Sequence, residues 1–312
     1  MRKDKMLNHE VRSMTRREWL QLTAMGAVGT ATLPSLFAQG KRPLGVQLYT
    51  VRDRLGADAD ATLQAIASIG YKEVELLRAH AARIAPLAKA HGLDCVSMHI
   101  EPPLVTGNWD PWADAVKPED RSTLERALDE AKSYGAQYAV VSYLMPSERG
   151  GGEAFFEKFA DQLNRAGEAG KKAGVQIGYH NHGFEFEPLP DGRRPLDVLV
   201  SHTDPSLVRF ELDVFWVGIT GASPVDLLTQ YKGRVALVHL KDKAKEAART
   251  TDERQVPAEM FKEVGSGSLD FRAILKAADA AGVEHYFVEQ DHTPGDPIAS
   301  LRKSYEYLQS IA

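Results

Sequence analysis

The run Ala173-Gly174-Val175-Gln176-Ile177-Gly178-Tyr179-His180-Asn181-His182 carries the pattern that decides the fold. A glycine follows a helical segment, a β-prone segment follows the glycine, and that segment ends on polar side chains. Glycine tolerates the left-handed backbone that terminates a helix. Upstream, Phe156, Phe159 and Leu163 are spaced by three and four and therefore line one helix face. The same punctuation recurs at Ile69-Gly70-Tyr71, His91-Gly92-Leu93, Tyr134-Gly135-Ala136, Lys232-Gly233-Arg234 and Ala281-Gly282-Val283. Repeated helix-stop-then-strand junctions predict parallel strands joined by crossover helices.

Eight β-prone runs follow from this pattern: Leu44–Thr50, Tyr71–Leu76, Leu93–Ile100, Tyr138–Tyr143, Val175–His182, Arg209–Trp216, Val235–Asp242 and His285–Asp291. Apolar stripes at helical spacing lie between most of them. They are Leu63, Ile66 and Ala67; Leu124, Ala127, Leu128 and Ala131; and Phe271, Ile274, Leu275 and Ala278. Ile298, Leu301, Tyr305 and Leu308 give a closing helix. An open doubly wound sheet expects a Gly-rich phosphate loop after an early strand. Here Val51-Arg52-Asp53-Arg54 follows the first run. The expected fold is α/β, a single (β/α)8 TIM barrel over residues 39–312, close to the usual ~250 residues of that architecture. The longest polar stretch, Lys241–Val256, reads as a solvated loop or short helix at the top of the barrel.

The chain has 312 residues, 43% hydrophobic and 26% charged, which is ordinary globular composition. A net charge of −5 argues against a broad basic surface, so no nucleic-acid partner is expected. The single cysteine, Cys95, excludes an internal disulfide and a Cys-rich zinc or iron–sulfur site. Residues 1–40 stand apart. Arg2, Lys3, Lys5, Arg12, Arg16 and Arg17 precede an uncharged run from Trp19 to Gly40, interrupted by Pro34. A basic region, an apolar run and small residues in that order read as an export signal. Thr15-Arg16-Arg17-Glu18-Trp19-Leu20 resembles a twin-arginine leader. Residues 1–38 are therefore expected to be a signal peptide cleaved near Ala38, the alternative being an uncleaved anchor. Their removal takes away six positive and three negative charges, moving the net charge from −5 to about −8. The expected location is periplasmic, with no membrane contact after cleavage.

In a barrel the active site lies at the C-terminal strand ends. Those ends supply Gln47 and Tyr49, Glu75, His99 with Glu101, Ser142, His180 with His182, Asp213, His239 with Lys241, and Glu289 with Asp291. Strand alternation gives Glu211 and Asp213 one face, and His239 and Lys241 another. A strand-end histidine is ordinarily a hydrogen-bonded structural group, and a lone strand-end carboxylate ordinarily caps the next helix. Four consecutive strands, however, supply His180, Asp213, His239 and Glu289. Two imidazoles and two carboxylates form a mixed set that suits one divalent ion (Mn, Co, Zn, Fe or Mg) rather than a thiolate-demanding one. An ion with open positions polarises a carbonyl or hydroxyl and stabilises an enediolate.

The segments Gly178-Tyr179-His180-Asn181-His182-Gly183-Phe184-Glu185-Phe186, Glu211-Leu212-Asp213, Val238-His239-Leu240-Lys241-Asp242 and Val288-Glu289-Gln290 resemble the xylose isomerase-like barrel superfamily. More narrowly they resemble its sugar phosphate isomerases/epimerases, a group that includes inosose dehydratases and tagatose-type 3-epimerases. Leu44-Gly45-Val46-Gln47-Leu48-Tyr49-Thr50-Val51-Arg52 resembles that group's opening strand, so the likeness covers residues 43–310. The resemblance implies a metal held by a Glu, an Asp, a His and a Glu from the last four strands. Asp213, His239 and Glu289 match the final three, while His180, with His182 and Glu185 nearby, stands where the first is expected. It also implies two metal-bound glutamates acting as acid and base. Glu289 matches one, and Glu185 is the candidate for the other.

Lys241 is read as a partner for a substrate oxygen or developing enolate, or else as an ion pair with Asp242 or Glu211. His99 is a candidate catalytic group. His99 and Glu75 either contact substrate or orient the ligands from behind. Tyr49, Glu75, His182 and Trp216 are the candidate substrate contacts, with Trp109 and Trp112 as further stacking surfaces. The expected activity is a metal-dependent isomerase or epimerase acting on a sugar or keto-sugar by enolisation next to a carbonyl. The alternative is a periplasmic lyase, dehydratase or hydrolase acting on a 3-keto-glycoside or inosose-like substrate. Other classes are an abasic-site endonuclease, which the acidic charge opposes, and a sugar-binding protein without turnover. A homodimer is the expected assembly, since barrels often pair.

Overall fold

Each β-prone run overlaps one barrel strand. The computed structural model describes residues 43–311, and its barrel strands are β1 (Gly45–Gln47), β2 (Glu73–Leu77), β3 (Asp94–Ile100), β4 (Tyr138–Val141), β5 (Gln176–His180), β6 (Val208–Asp213), β7 (Val235–Leu240) and β8 (His285–Val288). They close in the order β1-β8-β7-β6-β5-β4-β3-β2, and every pairing is parallel. The closing pair sets Gly45 opposite Phe287. A Cβ on Gly45 would stand 2.4 Å from the Phe287 ring, so this close approach requires glycine. The observed fold is the expected single (β/α)8 barrel. The expectations for residues 1–38 lie outside the described residues.

Parallel neighbours need a crossover, and helices supply it after every strand. The stripes read from the sequence are buried: Leu63 and Ile66, Ala127 and Leu128, Phe159 and Leu163, Ile274 and Ala278, and Leu301 and Leu308. Three of their helices stop at glycines in the left-handed region: Gly135 (φ 95°), Gly174 (φ 79°) and Gly282 (φ 86°). Three crossovers carry no stripe in the sequence reading: Arg78–Ala90, Pro195–His202, and the pair Val214–Ile219 and Pro224–Gln230. The first buries chiefly alanines with Ile84, and the helices of the other two are about two turns or shorter, so none has a strong periodic signal. Among the described residues no helix is long and apolar enough to cross a membrane.

At two strand ends beside the site the chain enters a helix inside the expected run. After Gln47 the chain turns at once into a 3-10 helix over Leu48–Val51, whose Tyr49 N–H donates to the Gln47 side chain. Tyr49 therefore leaves the strand, is 39% exposed, and lies beneath the Arg52 guanidinium at 4.0 Å. After Asp213 the helix Val214–Ile219 begins, so Trp216 is helical. The polar stretch after Lys241 is neither wholly loop nor helix. Asp242–Lys243 pairs antiparallel with Phe261–Lys262, and short 3-10 turns lie between them.

That excursion is tied down by one carboxylate. Asp242 accepts backbone N–H groups from Lys243 (2.8 Å), Gly265 (3.0 Å), Gly267 (2.8 Å), Ser268 (3.0 Å) and Leu269 (3.1 Å). A buried carboxylate of this kind is held in place by charge-assisted bonds. Removing it leaves several donors without a partner. Asp242→Ala should therefore lower stability by about 3 kcal/mol, and Asp242→Asn by less, read from the midpoint of urea unfolding.

Candidate functional site

Seven of the eight strands, or the residues directly after them, send polar groups to one point: Gln47, Glu75, Ser97, His99, His180, Glu211, Asp213, His239, Lys241 and Glu289. Leu237 and Phe287, two residues before His239 and Glu289, lie in a buried apolar cluster with Tyr138 and Val140. The polar groups thus stand on a dry floor, where charge interactions are strong and unpaired charges are costly.

The deepest carboxylate is Glu75, with no exposed surface. Its Oε1 accepts from Ser97 Oγ at 2.6 Å, and its Oε2 accepts from Gln47 Nε2 at 2.7 Å. The same Oε2 lies 2.7 Å from His239 Nε2 and 3.1 Å from His99 Nε2. Glu211 Oε2 faces His99 Nε2 at 2.8 Å, His239 Nε2 at 3.1 Å and His180 Nδ1 at 3.1 Å, the last approach being bent. Nearer the mouth, His239 Nδ1 is 2.9 Å from Glu289 Oε2. Asp213 Oδ2 lies 3.9 Å from both His239 Nδ1 and His180 Nε2. Asp213 Oδ1 is already committed, accepting the Phe215 and Trp216 N–H groups as a helix cap.

Lys241 Nζ closes the upper layer, 2.9 Å from Asp213 Oδ2, 2.8 Å from Glu289 Oε2 and 2.8 Å from Asp291 Oδ2. It does form ion pairs, but with these three groups rather than with Asp242 or Glu211. Asp242 is spent on the backbone amides described above.

Burial and charge set the protonation states. Burial pushes the Asp213 carboxyl up to about 6, against the pull of Lys241 and His239. Burial alone would lower His99, but Glu75 and Glu211 raise it to about 9. His180 and His182 are held well below the ordinary imidazole range, by burial first and then by His239 and Lys241 respectively. A neutral imidazole is the form that binds metal. Burial also opposes charge on Lys241, but Asp213, Asp291 and Glu289 outweigh it and keep the ammonium protonated.

The donor set fits a divalent ion. Ligand atoms of Asp213, His239 and Glu289 lie within 4.8 Å of one another, as do those of His99, His180, Glu211 and His239. Asp213 Oδ2 and Glu211 Oε1 are buried without an aligned hydrogen-bond partner. Lone pairs left in this way inside a nitrogen–oxygen cluster are what a hard or borderline cation satisfies.

The fold brings His180, Asp213, His239 and Glu289 together, along with His99, Glu75 and Lys241. It adds Glu211, to which the sequence reading gave no site role. The available signal was its place one strand period before Asp213. The His182 and Trp216 rings lie 5.4 Å apart, tilted by 35°, beside Lys241, whose Nζ is 5.6 Å from the Trp216 ring. Trp109 packs near Arg121, and Trp112 Nε1 donates to Glu148. An open cavity of about 680 Å³, lined in part by Thr50, Arg52, Asp291 and His292, borders the cluster at Asp291.

Glu185 is placed differently. Tyr179 points away from His180, into the layer where Phe159 and Phe210 pack. Glu185 follows it, accepting the Tyr179 hydroxyl at 2.7 Å and the His182 N–H at 2.9 Å. Burial raises its carboxyl to about 8.

Comparison with known proteins agrees with this geometry. The family described as "Xylose isomerase-like TIM barrel" matches residues 63–311. An inosose dehydratase of Geobacillus thermodenitrificans is 30% identical over 167 residues, covering 50% of this chain and 55% of that protein. The chain thus spans about half the length of the curated relatives it matches. A sugar phosphate isomerase/epimerase structure from Parabacteroides distasonis superposes with a TM-score of 0.69 at 25% identity, covering 88% of this chain and 96% of that one. The structure of IolI protein with a bound zinc atom shares the fold, with a TM-score of 0.62 at 16% identity over 86% of this chain and 98% of that one.

The Glu185 environment has a pH consequence. Its folded-state pKa of about 8 lies above the ordinary 4.5, so the folded state holds a proton that the unfolded state has lost. Its contribution is therefore full below about pH 4.5 and is lost as pH rises towards 8. Urea unfolding across this range should show a decline in the native protein that Glu185→Gln lacks. Equal pH slopes in the two would contradict this placement.

Proposed function

We propose a function on the premise that this chain belongs to the xylose isomerase-like TIM barrel family: it is a divalent-metal-dependent dehydratase acting on a keto-sugar or cyclic keto-polyol through enolisation beside the carbonyl. One observation carries the choice of elimination. The group opposed to the Glu289 carboxylate is the Lys241 ammonium, 2.8 Å away, while Glu185 is engaged with Tyr179 and His182. A two-base epimerisation needs a second base on the opposite face, whereas elimination needs one base and one acid. The name of the Geobacillus relative supports this reading.

His180, Asp213, His239 and Glu289 would hold the ion. When bound, it supplies Lewis-acid polarisation of a carbonyl or hydroxyl oxygen. Glu289 Oε1 takes the proton from the carbon beside the carbonyl, while Oε2 faces His239 and Lys241. Lys241 then gives a proton to the departing β-hydroxyl, which leaves as water as the carbon–carbon double bond forms. His182 and Trp216 wall the mouth and limit water beside the reacting carbon. The ion is of the zinc, cobalt, manganese or iron class, as imidazole–carboxylate sets favour.

A second reading keeps the same enolisation but ends in isomerisation or epimerisation. It is favoured by the Parabacteroides likeness, which extends over 88% of the chain. Metal-loaded protein incubated with inososes, 3-keto-glycosides and free ketoses in D2O separates the two. A dehydrated enone or dione is expected, whereas an epimer carrying deuterium would favour the second reading. Glu289→Gln should reduce turnover at least about a hundredfold in either case.

The site of action is the periplasm. The twin arginine at Arg16-Arg17 supports this, because that route carries folded, metal-loaded proteins. Changing both arginines to lysine should retain the full-length protein in the cytoplasm. Unchanged periplasmic recovery would refute the assignment.

A further inference from the structure

We propose that the cavity bordering the cluster, between the loops that follow β1 and β8, is a subsite for a second sugar ring. The substrate is then a keto-glycoside rather than a lone keto-sugar. The inference deepens the proposed function and rests on its placing of the reacting carbon beside Glu289.

The cavity and the cluster are neighbours with different walls. The cavity holds about 680 Å³, within the roughly 300–1,000 Å³ of small-molecule sites. Its walls are residues 50–54, 258–259 and 291–297, and none of His180, Asp213, His239 and Glu289 is among them. Asp291 is the boundary between the two. Its Oδ2 lies 2.8 Å from Lys241 Nζ, which is in turn 2.8 Å from Glu289 Oε2. A ring whose carbon reaches Glu289 therefore stands on the cluster side of Lys241. Arg52 and His292, on the cavity walls, are left to contact whatever that ring carries.

The cavity is fixed from both sides. The Gln290 N–H donates to Thr50 Oγ at 3.1 Å and joins the two loops at their base. Gln290 is held in turn: its Nε2 donates to the His292 carbonyl at 3.0 Å, and its Oε1 accepts from Ser300 Oγ. Farther out, Arg54 Nη1 and Asp296 Oδ1 pair at 2.9 Å. An exposed pair adds little stability, but this one links the same two loops. Walls ordered before a ligand arrives lower the cost of binding it.

The chemistry of the walls selects a hydroxyl-bearing ring. Arg52 spends Nη1 on the Tyr49 carbonyl at 2.9 Å and keeps its other N–H groups for acceptors. Asp53, Glu259 and Asp291 offer acceptors on the same cavity. A ligand of one charge meets repulsion from one of these sets, whereas a hydroxyl both donates and accepts and so satisfies either. Tyr49 adds an aromatic surface. It is the one large apolar side chain exposed among the described residues, and its neighbour Arg52 lines the cavity. The Tyr49 N–H bonds to the side chain of Gln47, a member of the cluster, so Tyr49 stands along the chain between cluster and cavity. An exposed aromatic at that junction offers a platform to the apolar C–H face of a sugar.

The test uses the full chain and has two arms. The first needs no turnover: saturation-transfer NMR with cellobiose and with glucose as probes. Cellobiose should receive saturation on both rings and bind about tenfold more tightly than glucose. Arg52→Ala, with circular dichroism confirming the fold, should remove that advantage, and Arg52→Lys should keep only part of it. No binding of cellobiose, equal affinity for both sugars, or an advantage that folded Arg52→Ala retains would each overturn the subsite. In the second arm, cobalt-loaded protein is given 3-keto-glucose and 3-keto-cellobiose. Wild-type kcat/KM should favour the two-ring substrate about tenfold, mainly through KM, and Arg52→Ala should bring the two values together. Equal wild-type values would overturn the inference. Turnover of neither sugar would instead overturn the proposed function, and the first arm would still decide the subsite.

Discussion

Four carboxylates withdrawn from water at one barrel mouth impose the constraint on which the rest of the site depends. Glu75, Glu211, Asp213 and Glu289 are all buried, and one buried ammonium, Lys241, stands among them with the partly buried Asp291. Unpaired buried charge is too costly to persist, so such a cluster must recruit protons, cations or both. The three imidazoles between the carboxylates meet part of that demand. A divalent ion, under the proposed function, meets more of it.

The barrel makes this crowding tolerable by separating layers. Apolar side chains below, among them Leu237 and Phe287, exclude water from beneath the cluster. Strand alternation then lifts Glu211 to Asp213, and Leu237 to His239, by one period. The result is a lower tier that accepts hydrogen from imidazoles and an upper tier that faces the mouth. Above them, Asp242 gathers five backbone amides and holds the excursion that leads to Phe261. Two adjacent residues, Lys241 and Asp242, thus serve the site and the excursion that follows it respectively.

Much of this was legible from residue order. The glycine stops, the eight β-prone runs and the strand-end positions of His180, Asp213, His239 and Glu289 are local properties. Glu185 was not legible in the same way. It follows the motif closely, yet it pairs with Tyr179, which points away from His180 because adjacent strand residues face opposite sides. Tyr49 escaped for a related reason: the Gln47 side chain caps a turn that begins three residues before the β-prone run ends.

The sequence by itself determined the repeating strand–helix unit, the closed barrel that eight such units favour, and the end at which polar groups collect. These depend on periodicity and on glycine conformation, which act over a few residues. Only the tertiary structure decided who faces whom: Glu75 under His239, Glu211 under His180, and Lys241 against Asp213, Glu289 and Asp291. Those partners are separated by up to 164 residues in the case of Glu75 and His239. Their distances are fixed by the register and closure of the barrel, which no local pattern encodes.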